Sequence, residues 1–232
     1  NQYRQISRTT QRVNWNEKAS EPARDITGYD IQTNSDGTYR YYSDSQLTVP
    51  FSFDNPIKAN TTVYALYAPK TYNVTFVEAD GSNKPITSIG NNGVVSVPYG
   101  ETMSAVLGGL TEPAAPEKTG YTFLAWCYVG GRDRFNFGSS AITTATLYPL
   151  YTKQLVTVNY VVNGGNALTA SRVEYDTSLE STWQYETQWT ETPGTPVRNH
   201  YTFEGWYTDS ALTQRYDASS RVTSSLTLYA KW

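Results

Sequence analysis

Residue types that support covalent or metal chemistry are sparse in this 232-residue chain, which holds one cysteine, Cys127, and one histidine, His200. A thiolate nucleophile needs a base beside it, and zinc needs several Cys, His or carboxylate ligands. Cys127 stands between Trp126 and Tyr128 in a strand-like run, far along the chain from His200, so it reads as a small buried side chain. Paired carboxylates for acid–base work would come from Glu78 with Asp80, or Asp209 with Asp217. Each lies in or beside a turn-like stretch, where a solvated turn residue is the plainer account. The serines lack the Gly-x-Ser-x-Gly setting of a nucleophile elbow. Asn34-Ser35-Asp36-Gly37 carries part of a calcium loop only, and the Gly108-Gly109 and Gly130-Gly131 pairs lack the strand-to-helix context of a phosphate loop. The expectation is a non-enzymatic chain with no catalytic residue, metal site or cofactor.

Recognition chemistry is better represented. Between Ser178 and Trp189, a helical projection puts Leu179 and Trp183 on one face, and Tyr185 and Trp189 on another about 120° away. One small core cannot easily take both pairs. Trp183, Tyr185 and Trp189 are therefore the candidate binding residues, rigid aromatics suited to stacking on sugar rings or anchoring a protein partner. The competing reading has this stretch wrap back and bury Trp189 against a neighbouring repeat.

The elements that would carry such residues follow from composition. Twenty Tyr, 7 Phe and 6 Trp, with only 17% charged residues, suit pleated, half-buried surfaces, so strands should dominate. A net charge of −3 with scattered Lys and Arg gives no basic footprint for nucleic acid or anionic membrane. No apolar run approaches the roughly 20 residues that span a bilayer, and Asn1-Gln2-Tyr3-Arg4 has no signal-peptide pattern. The sequons Asn60-Thr61-Thr62 and Asn73-Val74-Thr75 arise readily in a Thr-rich chain.

Internal repetition is the strongest signal. Gly120-Tyr121-Thr122-Phe123-Leu124-Ala125-Trp126-Cys127-Tyr128 recurs as His200-Tyr201-Thr202-Phe203-Glu204-Gly205-Trp206-Tyr207. Thr146-Leu147-Tyr148-Pro149-Leu150-Tyr151 recurs, at almost the same offset, as Thr227-Leu228-Tyr229-Ala230-Lys231-Trp232, and appears earlier as Thr62-Val63-Tyr64-Ala65-Leu66-Tyr67. Three units result, 1–70, 71–153 and 154–232. The first is divergent or truncated, because Gly28-Tyr29-Asp30-Ile31 lacks the following Trp.

Each complete unit should open with a hairpin, around Asp80-Gly81 or before Asn163-Gly164-Gly165. Met103, Val106, Leu107 and Leu110 then recur at helical spacing from Glu101 to Leu110, which predicts one helix before the Pro113–Pro116 stretch. The Tyr-Thr-Phe and Thr-Leu-Tyr strands complete an α+β, mainly β unit: a short mixed sheet with one helix. Short connections, Pro69-Lys70-Thr71 and Thr152-Lys153-Gln154, favour an extended, semi-rigid array, and an acidic, repeat-built chain with no coiled-coil heptads reads as a monomer.

The run from Tyr201 to Asp209, followed by Tyr216-Asp217, Val222-Thr223 and Thr227 to Trp232, resembles the Listeria-Bacteroides repeat, also called the internalin B-repeat. The second unit resembles it well and the first weakly. Ala125 and His200 stand where the pattern has Gly, and Pro149 interrupts the second closing strand. The resemblance implies tandem β-grasp-like modules in secreted or wall-anchored bacterial proteins, commonly adhesins, with no shared catalytic residues. A cysteine-poor, Thr- and Tyr-rich β chain also fits a Gram-positive cell surface. The expected role is an extracellular adhesin stalk or spacer. The alternative is a ligand-binding accessory module, its partner a host surface protein or glycan, in an adhesin or a secreted carbohydrate-active enzyme.

Overall fold

Short antiparallel ladders organise the amino-terminal stretch up to Lys70. Strand β1 (Tyr29–Ile31) and strand β2 (Tyr41–Tyr42) are each too short to stand alone. They pair with β4 (Tyr67–Pro69) and β3 (Tyr64–Ala65), in registers Tyr29↔Pro69 and Tyr41↔Ala65. The structure is a computed structural model that describes residues 5–140, 142–180 and 196–232.

Alternation sets the next sheet. In β5 (Thr71–Phe76), Val74 and Phe76 are fully buried while Thr71 and Asn73 face solvent, the period of two of a strand covered on one face. Its antiparallel partner is β6 (Val94–Pro98), in register Thr71↔Pro98. After the helix α1 (Met103–Val106) come β7 (Tyr121–Tyr128) and β8 (Ala145–Lys153). The order is β6-β5-β8-β7, with β8 parallel to β5 from Val74↔Ala145 to Phe76↔Leu147. A parallel pair needs a crossover, and the chain from β6 to β8 provides it.

The same plan returns. Strands β9 (Leu155–Val161), β10 (Ser171–Glu174), β12 (Gly205–Tyr207) and β14 (Leu226–Lys231) make the order β10-β9-β14-β12. The parallel pair is again central, from Leu226↔Val158 to Tyr229↔Val161, with antiparallel strands outside it. A small ladder joins β11 (Thr177–Ser178) to β13 (Arg221–Val222). Among the described residues the chain is thus mainly β with very little helix.

The chain divides into two compact units, Asn1–Ala114 with Tyr128–Tyr148, and Ala115–Cys127 with Pro149–Trp232, the division passing through β7 and β8. In the first unit Val74, Phe76, Val97, Met103 and Leu147 have no exposure. In the second, Val158, Leu179, Leu228 and Ala230 have none, and Trp206 packs its ring 5.0 Å from Tyr160 and 5.4 Å from Phe203. Full burial of each large apolar side chain contributes roughly 1.5–3 kcal/mol.

The helix is shorter than its sequence period predicts. Thr102 caps it, its hydroxyl oxygen accepting from the Ala105 N–H at 3.0 Å. Gly108 and Gly109, at φ +73° and +89°, then end it after a single turn. Only Met103 is buried from α1, while Val106 is 41% and Leu110 56% exposed, so the apolar spacing out to Leu110 is not a packed face.

Candidate functional site

The polar residues with chemical potential are used locally. Cys127 is fully buried. Asp80 accepts from the Ser82 N–H at 2.9 Å, and Asp217 from the Ser219 N–H and hydroxyl at 2.9 and 2.7 Å. The serine partners hold both carboxyls below the usual carboxylate range. Asp36 serves the N–H and hydroxyl of Thr38 in the same way, so the Asn34–Gly37 stretch is a self-contained turn. Among the described residues no group of three or more His, Cys, Asp or Glu side chains could hold a metal ion, and no helix is long and apolar enough to cross a membrane. Trp183, Tyr185 and Trp189 lie outside the described residues.

One loop adds to the kinship of the first unit with the others. Asp209 accepts from the Thr213 and Gln214 N–H groups and the Thr213 hydroxyl, and Leu212 takes φ +58°. Asp44 accepts from the Thr48 and Val49 N–H groups and the Thr48 hydroxyl, and Leu47 takes φ +60°. The flanking bonds match as well: Tyr216 N–H to Trp206 C=O and Phe51 N–H to Tyr41 C=O, both 2.8 Å. Buried Tyr41 therefore stands where Trp206 does, and Tyr42-Ser43-Asp44-Ser45-Gln46-Leu47-Thr48 is the counterpart of Tyr207 to Thr213.

A second recurrent construction sits at the connections between repeats. Three turns share one form: Ile26-Thr27-Gly28-Tyr29, Lys118-Thr119-Gly120-Tyr121 and Arg198-Asn199-His200-Tyr201. In each, the N–H of the fourth residue donates to the C=O of the first, at 3.0, 3.0 and 3.1 Å, and the third residue has φ +80°, +76° or +67°. A positive φ at that position is what a type II turn demands, and glycine meets it without steric cost.

The first two turns receive the start of the next repeat. The Lys70 N–H donates to the Gly28 C=O at 2.8 Å, and the Tyr99 N–H donates to the Lys70 C=O at 2.7 Å. One repeat later the Gln154 N–H donates to the Gly120 C=O and the Tyr175 N–H to the Gln154 C=O, both at 2.8 Å. A single linker residue thus binds the turn before it with its N–H and the following repeat with its C=O. The tyrosine ring then closes over the glycine: a Cβ on Gly28 would come to 2.2 Å from the Tyr99 ring atoms, and one on Gly120 to 2.2 Å from those of Tyr175. Each tyrosine also meets its turn's own tyrosine edge to face, at 5.6 Å for Tyr29–Tyr99 and 6.0 Å for Tyr121–Tyr175.

Two backbone hydrogen bonds and one aromatic pair make such a joint worth on the order of a few kcal/mol. Each joint lies wholly inside one of the two compact units. The sequence signal was present but divided: the Gly-Tyr pairs recur visibly, while their partners sit in the distant segments Val97-Pro98-Tyr99-Gly100 and Val173-Glu174-Tyr175-Asp176. Gly100 and Asp176, at φ +86° and +59°, turn the chain just after each tyrosine.

The Listeria-Bacteroides repeat domain family matches residues 72–149 and 157–231, two tandem copies. Two proteins of Evansella cellulosilytica named as membrane proteins, one of them Gly-rich, are 29% and 28% identical over 83% of this chain, covering 26% and 20% of their own lengths. Internalin H of Listeria monocytogenes is 30% identical over 53% of this chain and 21% of its own length. The chain spans about a quarter or less of these curated relatives. The two matched copies cover well over half of the sequence, and the chain belongs to the Listeria-Bacteroides repeat domain family.

Proposed function

We propose that this chain is a stalk segment of a bacterial cell-surface protein, a non-enzymatic run of β-grasp-like repeats that holds an attached adhesive domain away from the cell wall. The observation that carries this reading is the joint: the same turn, linker residue and tyrosine recur at Gly28–Lys70–Tyr99 and Gly120–Gln154–Tyr175. A flexible tether needs only a polar linker. A built joint makes the linker residue at both connections part of the fold, which suits a spacer better than a loose tether. The family match, and relatives named as membrane proteins and as an internalin, support a place outside the cell, as in a Gram-positive wall. Local capping of the turn carboxylates supports a structural use of the polar residues.

Nitrogen-15 relaxation on the full chain tests the proposal. A stalk with closed joints gives the matched repeats one shared tumbling time, and Tyr175→Ala splits that time into separate, shorter ones. Independent tumbling in the parent chain would overturn the stalk reading.

A further inference from the structure

The third turn keeps the form of the other two but not the glycine. His200 has φ +67°, against +80° at Gly28 and +76° at Gly120, so its Cβ points where a Cβ on either glycine would point. At both glycines that place is 2.2 Å from atoms of the incoming tyrosine ring, far inside contact distance. The clashing ring atoms include Cγ, at the root of the side chain, so the tyrosine cannot swing its far end clear as a flexible side chain would. A non-glycine residue in this region also carries backbone strain that glycine avoids. The local fold gains nothing from histidine here, since the turn forms equally well around glycine in the first two copies.

We propose that the third residue of this turn decides whether a repeat accepts a successor: glycine opens a slot for the tyrosine of a following repeat, and His200 closes it. The partner of the open slot is the tyrosine that ends the second strand of a like repeat, followed by a left-handed residue as in Tyr99-Gly100 and Tyr175-Asp176. The third repeat then presents a finished face, its Tyr201 covered by the Arg198 guanidinium at 3.7 Å and 55% exposed. The proposal rests on reading the linker contacts as joints between repeats, and the variants below separate the two ideas.

The test reads tryptic cleavage at linker lysines by mass spectrometry, in the full chain and in the full chain extended by a second copy of residues 152–232. That extension restores a Thr-Lys-Gln linker after Trp232. In the extended chain the new linker lysine should be cut about tenfold faster than Lys153, and His200→Gly should bring it down to the Lys153 rate, because cleavage follows the open fraction. In the unextended chain Gly120→His should raise cleavage at Lys153 about tenfold, while His200→Gly should leave it unchanged. Equal protection of the new linker in the extended parent and in its His200→Gly variant, or protection of Lys153 in folded Gly120→His, would overturn the proposal. The extended pair decides alone should Gly120→His fail to fold. Tyr175→Ala examines the joint by itself: if Lys153 stays protected there, the joint reading fails, whereas exposure there without a histidine effect removes only the histidine proposal.

Discussion

Gly120 lies so close to the Tyr175 ring that a Cβ on the glycine would stand only 2.2 Å from its atoms, although the two residues belong to successive repeats. The contact ties the turn just before β7 in one copy to the residue just after β10, the second strand of the next, through backbone bonds on both sides of Gln154. The short connection between two copies thereby becomes part of the fold.

Removing the ring should therefore weaken more than a surface contact. Tyr175→Ala is expected to destabilise the third repeat by about 1–2 kcal/mol in urea, the scale of a lost aromatic pair and one loosened hydrogen bond. Tyr175→Phe keeps the ring and should cost less than about 0.5 kcal/mol. Equal losses for the two variants would show that the hydroxyl, and not the ring over Gly120, carries the contact.

Acid should loosen the repeats through their turn carboxylates. The backbone N–H groups of Gln214 and Val49 hold Asp209 and Asp44 below the usual carboxylate range, and Asp36, Asp80 and Asp217 are lowered by their Thr or Ser partners. Their folded-state values lie below the unfolded ones. The stabilisation they give is complete above the unfolded value near 3.9 and is lost as pH falls through the lowered folded value. Melting temperature followed from pH 6 to pH 2 should drop, and Asp209→Asn should melt lower than the parent at pH 6 and match it near pH 2. A constant gap between the two across that range would show that the charge on Asp209 is not what the loop uses.

Much of this architecture was legible in the sequence, and the parts that were not share a physical cause. The Tyr121-Thr122-Phe123 run and the Thr-Leu-Tyr motifs mark strands that must alternate, so β5, β7, β8, β9 and β14 fall where period and punctuation place them, whereas Tyr201–Phe203 lies just ahead of β12. The first repeat was obscured because Tyr41 replaces the tryptophan that labels the other copies, so its kinship rests on the Asp44 loop together with the Gly28 turn and the Thr62–Tyr67 motif. The joints were hidden because a glycine in a turn reads as local geometry, while its function depends on a tyrosine from another copy. Trp183, Tyr185 and Trp189 fall outside the described residues, so the structure neither joins nor separates them.

The helix shows how a local period can mislead. Met103, Val106, Leu107 and Leu110 match a helical stripe, yet the left-handed Gly108 and Gly109 stop the helix before the stripe can pack. Met103→Ala should cost about 2–5 kcal/mol, because Met103 is fully buried and truncation leaves a cavity. Val106→Ala should change stability by less than about 0.5 kcal/mol, since its side chain is already 41% exposed. Comparable losses at both positions would restore the longer apolar face.

A stalk and an adhesin segment differ in one measurable property, whether the repeats themselves hold a ligand. The full chain is expected to show no saturable binding to host matrix proteins, immunoglobulins, mucins or polysaccharides. Large exposed apolar side chains such as Trp15, at 74%, also occur scattered on ordinary surfaces and need no ligand to explain them. A variant carrying Tyr185→Ala and Trp189→Ala, with Trp183→Ala as a third change, should then match the parent in every arm. Saturable binding by the parent that disappears in the folded variant would place a ligand site on the third repeat and replace the stalk with an adhesive module. Binding that survives the variant but disappears with Trp15→Ala would place it on the amino-terminal stretch before Lys70, where the chain departs most from its own repeat.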